Sequence, residues 1–293
     1  METTVLLERM NTIISHEGPA LEEFDELTMM INELARQVHE SKLTIHEIQD
    51  LINKCKSLKD YKSIMGHILT KPHGYAGDFH IIDRLYTKET SSKFPKWDRY
   101  TVSIPSAQAV RNRKDYFKKK VSQSLKEGGS LLNLASGPAR DLYELYNENP
   151  KIAIATTCVE MDEKAIMYAR ILNRPHLDKI TFIKKNIFRF NTDEKFDIIW
   201  SGGLFDYFDD KAFIMLMKRF KEWLKDDGEI IIGNFNEDHN PNRVYMEFFG
   251  EWYLNHRSDE KLYDLAKQAG YDGSKISIGR EPENVNLFLH LKI

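Results

Sequence analysis

Cysteine is nearly missing from this chain: two residues in 293, Cys55 and Cys158, too far apart in sequence to make a metal-binding or redox pair. That excludes a disulfide-stapled scaffold and fits a reducing, cytoplasmic setting. Long apolar runs are missing too. None approaches the roughly 20 residues a spanning helix requires, and the start, METTVLLERM, lacks the charged-then-apolar order of a signal segment. Nor is there a large excess of either charge. With 42 basic and 45 acidic side chains the net charge is −3, without the strongly basic face of a nucleic-acid binder. The expected partner is therefore a small molecule, with no nucleic acid, no membrane span and no metal at the site.

What is present is the material of a globular core, 41% hydrophobic with 30% charged residues. Up to about residue 69 the periodicity is helical. Leu21, Phe24, Met30, Ile31, Leu34 and Val38 recur at three-to-four spacing, and Thr44-Ile-His-Glu47 is a capping box opening a second helix. A third, shorter helix runs through Tyr61, Ile64, Met65 and Ile68. Residues 71–78 (KPHGYAGD) then forbid regular helix while carrying His73, Tyr75 and Asp78. The segment reads either as an interhelical loop whose glycines satisfy turn geometry, or as a loop that presents Tyr75 or His73 to a substrate. Residues 88–105 read as an irregular connector punctuated by Pro95 and Pro105. Ser106 is expected to cap a helix that runs to about Lys126 and carries Arg111 and Arg113.

From Ser130 the pattern alternates. Strands are expected at 130–134, 153–160, 180–184, 196–201, 229–234, 274–279 and 285–292, and helices at 139–148, 163–173, 210–224 and 258–269. This is an α/β fold, a Rossmann-like seven-stranded, mostly parallel sheet. The last two strands have no helix between them and should form a terminal antiparallel hairpin. The organisation expected is an N-terminal helical domain over 1–105 and a nucleoside-binding domain over 106–293.

In such a sheet the site forms at the carboxyl ends of the strands. Those ends supply Ala135, Ser136 and Gly137 after the first strand, then Glu160 and Asp162 after the second. Glu160 is placed to take a ribose, with Asp162 as the helix-capping alternative. Asn186 and Ile187 follow the third strand and suit an adenine edge and face. Ser201 and Gly202 follow the fourth, with Asp206 and Tyr207 just beyond, and Asn234 follows the fifth.

These strand ends and the closing hairpin make residues 130–293 resemble a class I S-adenosylmethionine-dependent methyltransferase. More narrowly, PHGYAGD (72–78), LASGPARDL (134–142), SGGLFDYF (201–208) and the stretch 232–257 resemble the bacterial group associated with hydroxy fatty acid methyl esters, such as that of 3-hydroxypalmitic acid. The resemblance covers about residues 60–293. It implies S-adenosyl-L-methionine as cofactor, with Ala135, Ser136, Gly137, Glu160, Asp162, Asn186, Ile187, Ser201 and Gly202 holding it. It also implies O-methylation of a fatty acid-like carboxylate, oriented by Tyr75, Arg111, Tyr207 and Asn234. Arg257 is a further candidate, and Phe205, Phe208, Phe248, Phe249, Trp252 and Tyr253 are either walls of an acyl pocket or core. Two positions depart from the usual pattern: Asn133 stands where most class I enzymes have an acid, and Asn186 is an amide where an acid is common. Another small metabolite with a hydroxyl or amine acceptor, or a non-catalytic cofactor-binding scaffold, are the competing readings.

Overall fold

The computed structural model describes residues 1–125 and 128–293. Two compact units are present: Met1–Gln108 with Asn240–Tyr253, and Ala109–His239 with Leu254–Ile293. No described helix is long and apolar enough to cross a membrane.

The first unit is helical: α1 (Thr3–Ser15), α2 (Phe24–His39), α3 (Ile45–Lys54), α4 (Ile64–Thr70), α5 (Phe79–Thr87) and α6 (Pro95–Ser103). Their spaced apolar residues point inward, as Leu6, Met10 and Ile13 of α1 and Leu27, Met30 and Leu34 of α2 are all wholly buried. The capping box closes as expected, with Thr44 N–H donating to Glu47 at 2.8 Å and Glu47 N–H donating back to Thr44 Oγ1 at 3.3 Å. Helix α6 corrects the reading of 88–105 as a connector. Pro95 sits in the first turn, where its missing N–H costs nothing, and Trp97 and Tyr100 are buried.

Residues 240–253 belong to this unit although they lie far along the chain. A wide helical turn, Tyr245–Phe249, drives Tyr245 into the interior. Its hydroxyl meets Thr101 Oγ1 at 2.9 Å, and its ring meets the edge of Tyr100 at 5.1 Å. Phe249 and Trp252 are buried as well, while Tyr253 is exposed. Phe249 and Trp252 thus pack within the helical unit, and Tyr253 does not.

Helix α7 (Pro105–Ser124) starts on Pro105 itself, two residues earlier than expected from Ser106 as cap. Ser106 instead bonds Asn240 Oδ1 through its hydroxyl at 2.8 Å. The helix's expected end at Lys126 lies outside the described residues. The second unit, which begins within α7, is built on β1 (Gly129–Leu134), β2 (Ile154–Glu160), β3 (Ile180–Lys184), β4 (Phe196–Ser201), β5 (Leu224–Phe235), β6 (Ile276–Arg280) and β7 (Asn286–Lys292). Between them lie α8 (Arg140–Glu148), α9 (Glu163–Leu172), α10 (Asp210–Glu222) and α11 (Asp259–Gln268).

The strand order is β3-β2-β1-β4-β5-β7-β6, with β7 antiparallel to both its neighbours and the remaining pairings parallel. This is the expected Rossmann-like sheet, closed by the expected hairpin. Alternate residues feed separate cores on its two faces. Leu132, Leu134, Ile199, Ile230 and Ile232 serve one core, and Leu131, Ile198, Trp200, Ile231 and Phe288 the other. That two-sided burial is why the central strands read as continuous apolar runs.

The order reverses between β1 and β4, so the carboxyl ends of these strands frame the crevice where such sheets bind ligands. Here β4 and β5 approach closely. A Cβ on Gly233 would stand 2.3 Å from the Gly202 carbonyl oxygen. Gly233→Ala is therefore expected to lower the unfolding free energy by about 3 kcal/mol, as overpacking against backbone does. A denaturant midpoint equal to that of the wild type would show that β4 and β5 can part to admit a methyl group.

Candidate active site

The loop after β1 turns through three left-handed residues, Ala135 (φ 53°), Gly137 (φ 51°) and Ala139 (φ 49°). For each alanine this geometry costs about 1–2 kcal/mol, and it persists because the surroundings over-determine it. Ala135 N–H donates to the Val159 carbonyl at 2.8 Å, and Ala139 is packed in the core at the start of α8. Strain of this kind concentrates at functional loops. Around Gly137 the space is open: a Cβ built there would meet nothing within 4 Å.

Glu160, at the tip of β2, binds that loop. Its Oε2 accepts the Gly137 N–H at 3.0 Å, and its Oε1 accepts those of Met161 at 2.7 Å and Asp162 at 2.9 Å. Burial raises the carboxyl pKa, and the three N–H donors pull it back. A carboxylate offers about four acceptor positions, so Oε2 keeps one, beside the open space at Gly137. The site thus fits a ribose hydroxyl. Asp162 is engaged elsewhere, its Oδ1 capping α9 through Lys164 N–H at 2.8 Å. Asn133 Nδ2 is buried without a hydrogen-bond partner, and Ser136 Oγ lies beside the Cys158 thiol.

Asn186 accepts Phe188 N–H at 2.8 Å, capping the short turn Ile187–Arg189, and its Nδ2 lies 3.5 Å from Met161 Sδ. Ile187 is buried beneath. Met161, which directly follows Glu160, is 62% exposed despite its apolar side chain.

At the end of β4, Ser201 is wholly buried and donates to the Leu134 carbonyl at 3.4 Å, tying β4 to β1. Gly202 and Gly203 make room for Arg113 of α7. Arg113 Nη1 donates to Gly202 O at 3.1 Å and stands 2.7 Å from where a Gly203 Cβ would be. Arg113 also lowers the pKa values of two buried acids, Asp141 and Asp206, both nonetheless pushed up to about 6 by burial. Asp206 accepts Phe235 N–H at 2.7 Å, and Tyr207 beside it is substantially exposed. Asn234 is wholly buried: Nδ2 donates to the carbonyls of Phe235 at 3.0 Å and Asn255 at 2.9 Å, and Oδ1 accepts Arg257 Nη1 at 2.7 Å. Arg257 continues to the Phe205 and Phe208 carbonyls and to Asp210. This network fixes the turn that carries Tyr207. Phe205 itself belongs to the sheet core. Arg111 is buried, and desolvation lowers its pKa. Tyr75, in the other unit, lies on the loop between α4 and α5.

Two outcomes are expected. Glu160→Ala leaves three N–H groups without an acceptor and weakens binding of a ribose-bearing ligand by about 1–3 kcal/mol; calorimetry giving wild-type affinity would remove Glu160 from the site. The second concerns Asp206. With an ordinary value of 3.8 and about 6 when folded, the native state binds the extra proton between those values. The stability it contributes is complete below about pH 4 and lost as pH rises through about 6. The melting temperature of Asp206→Asn relative to wild type should therefore climb from pH 4 to pH 7, and a flat difference would contradict it.

The family model described as "Methyltransferase domain" matches residues 125–272, just over half of the chain. No match was found among curated proteins. Among solved structures, one similar fold is a possible exported protein from Bordetella parapertussis, 17% identical over 73% of this chain and 78% of that one, TM-score 0.64. Another, described as a candidate O-methyltransferase from Nostoc punctiforme PCC 73102, is 13% identical over 73% and 67%, TM-score 0.52. The PH0226 protein from Pyrococcus horikoshii OT3 is 16% identical over 64% and 92%, TM-score 0.50. At these identities the likeness is one of fold. With the family match added to the strand-end geometry, the chain belongs to the methyltransferase domain family.

Proposed function

We propose that this methyltransferase takes its methyl group from S-adenosylmethionine and transfers it to a carboxylate oxygen of a small molecule, a fatty or hydroxy fatty acid. The observation that carries the cofactor is the buried Glu160 carboxylate, tied to the strained loop at Gly137 and retaining an acceptor position there. The cofactor supplies a methyl group on a positively charged sulfur, open to in-line displacement. Glu160 would hold the ribose, with Ala135 and Ser136 shaping the turn beside it. Met161, Asn186 and Ile187 would receive the adenine, and Ser201 and Gly202 would hold the carboxyl end of β4 beside the cofactor.

A carboxylate is already ionised at neutral pH, so the reaction asks for no general base. It asks for a positive group that orients the acceptor and for the removal of water. Arg111 is the positive group, because a guanidinium stays charged even where burial lowers its pKa and pairs bidentately with carboxylates. Tyr207, exposed on the turn after β4, orients the acceptor through its hydroxyl, while Asn234 and Arg257 position that turn. The roles of Tyr75 and of the fatty acyl chain rest on the resemblance of the PHGYAGD and 232–257 motifs.

Calorimetric titration with S-adenosylmethionine and S-adenosylhomocysteine is expected to give binding in the micromolar range. Incubation with fatty and hydroxy fatty acids is then expected to give methyl esters by mass spectrometry. Tyr75→Phe should lower turnover while leaving cofactor affinity unchanged, and Arg111→Met should raise KM for the acid at least about tenfold, the worth of a charge-assisted hydrogen bond. Methylation of a hydroxyl or amine in place of the acid would move the assignment to another metabolite, and failure to bind either cofactor form would leave a scaffold.

A further inference from the structure

The helical unit holds a cluster that methyl transfer does not use. His67 lies in the last turn of α4, His73 in the loop after it, and Asp78 caps α5. Asp78 Oδ1 accepts the N–H groups of His80 at 2.9 Å and Ile81 at 3.0 Å. Its Oδ2 is left facing His67, whose Nε2 lies 2.7 Å away. His67 and Asp78 are 3% and 0% exposed. His73 completes the group, its ring 5.8 Å from that of His67 and its buried Nδ1 without a hydrogen-bond partner. One ligating atom from each of the three lies within 4.8 Å of the other two.

An orphaned imidazole nitrogen next to a buried His–Asp pair is costly unless something fills the gap. We propose that His67, His73 and Asp78 bind a divalent transition-metal ion of the zinc class. Two imidazole nitrogens and one carboxylate oxygen form a borderline-soft donor set that suits zinc and its neighbours, whereas calcium and magnesium call for oxygen alone. Three protein ligands leave a further position for water. Around a tetrahedral ion bonded at about 2.0–2.2 Å the ligand atoms stand roughly 3.3–3.6 Å apart, so the 2.7 Å contact between His67 and Asp78 opens as the ion enters. His73 can follow the ion, because its loop contains Gly74 at φ +94° with open space around it. The proton now shared by His67 and Asp78 leaves to solvent as the metal takes its place. Bound metal staples the end of α4 to the start of α5 and so fixes the loop that bears Tyr75. The assignment stands independently of the methyl-transfer reading, since all three ligands lie within the helical unit.

The test uses the full-length protein stripped with a chelator, then titrated with zinc by calorimetry and with cobalt(II) by visible absorption. One ion per chain is expected, with the cobalt bands of a four- or five-coordinate nitrogen–oxygen site. His73→Ala removes a ligand from the loop and leaves the buried His67–Asp78 pair intact. It should raise Kd by about 100-fold, one ligand's share of a protein zinc affinity, and abolish the rise in melting temperature that zinc gives the wild type. His80→Ala is the control: its ring lies 5.2 Å from that of His67 but outside the ligating group, so binding should be unchanged. Wild-type binding no tighter than that of His73→Ala would overturn the proposal, as would a loss in His80→Ala equal to that in His73→Ala.

Discussion

The second unit depends on what happens at the tip of β2. There a single carboxylate, Glu160, gathers three backbone N–H groups from two different loops. A side chain charged in this setting loses hydration, and burial alone would drive it towards the neutral form. The N–H donors counter that by fixing dipoles around it. The same bonds hold the β1 loop against the β2 loop, so the group that would hold a ribose also sets the shape of its pocket. Local strain and binding geometry are then one feature of the molecule, because the left-handed turns at Ala135, Gly137 and Ala139 are kept in place by this and by the packing of α8.

A second layer of the same logic runs under β4 and β5. Arg113 threads past two glycines to reach the Gly202 carbonyl, and Gly233 lets β5 come within contact of it. Arg257 holds the carbonyls of Phe205 and Phe208 together with Asn234. Charged groups buried this way each keep a partner, as buried ions must. The result is a rigid rim from which Tyr207 projects.

The sheet was legible because its physics is local and repetitive. Strands buried on both faces must be apolar along their length, and each of the four intervening helices shows its own apolar spacing. The strand-end residues followed, since the position of a strand fixes which residue stands at its tip. What escaped notice depended on contacts distant in sequence. Residues 240–253 carry aromatics at helical spacing, yet nothing local tells that they pack with the helices of the first unit. Helix α6 was hidden by Pro95, which looks like a breaker until it is seen to start a helix. Gly202 stands at a strand end in the sequence, but the group that packs against it and Gly203 is Arg113, about ninety residues upstream. For Asn234, sequence position suggested a group facing the acceptor, whereas its amide is committed to Arg257 and two carbonyls, which makes it a support for the rim.

The left-handed alanines bear on how this fold is recognised at all. A search for the loop by its glycines would pass this chain over, because two of the three positions that need positive φ are filled by residues that dislike it. What persists is the backbone path, imposed by the carboxylate opposite and by a helix packed behind. Diverged members of such a family are better found by asking which turn a strand must make than by asking which letters make it.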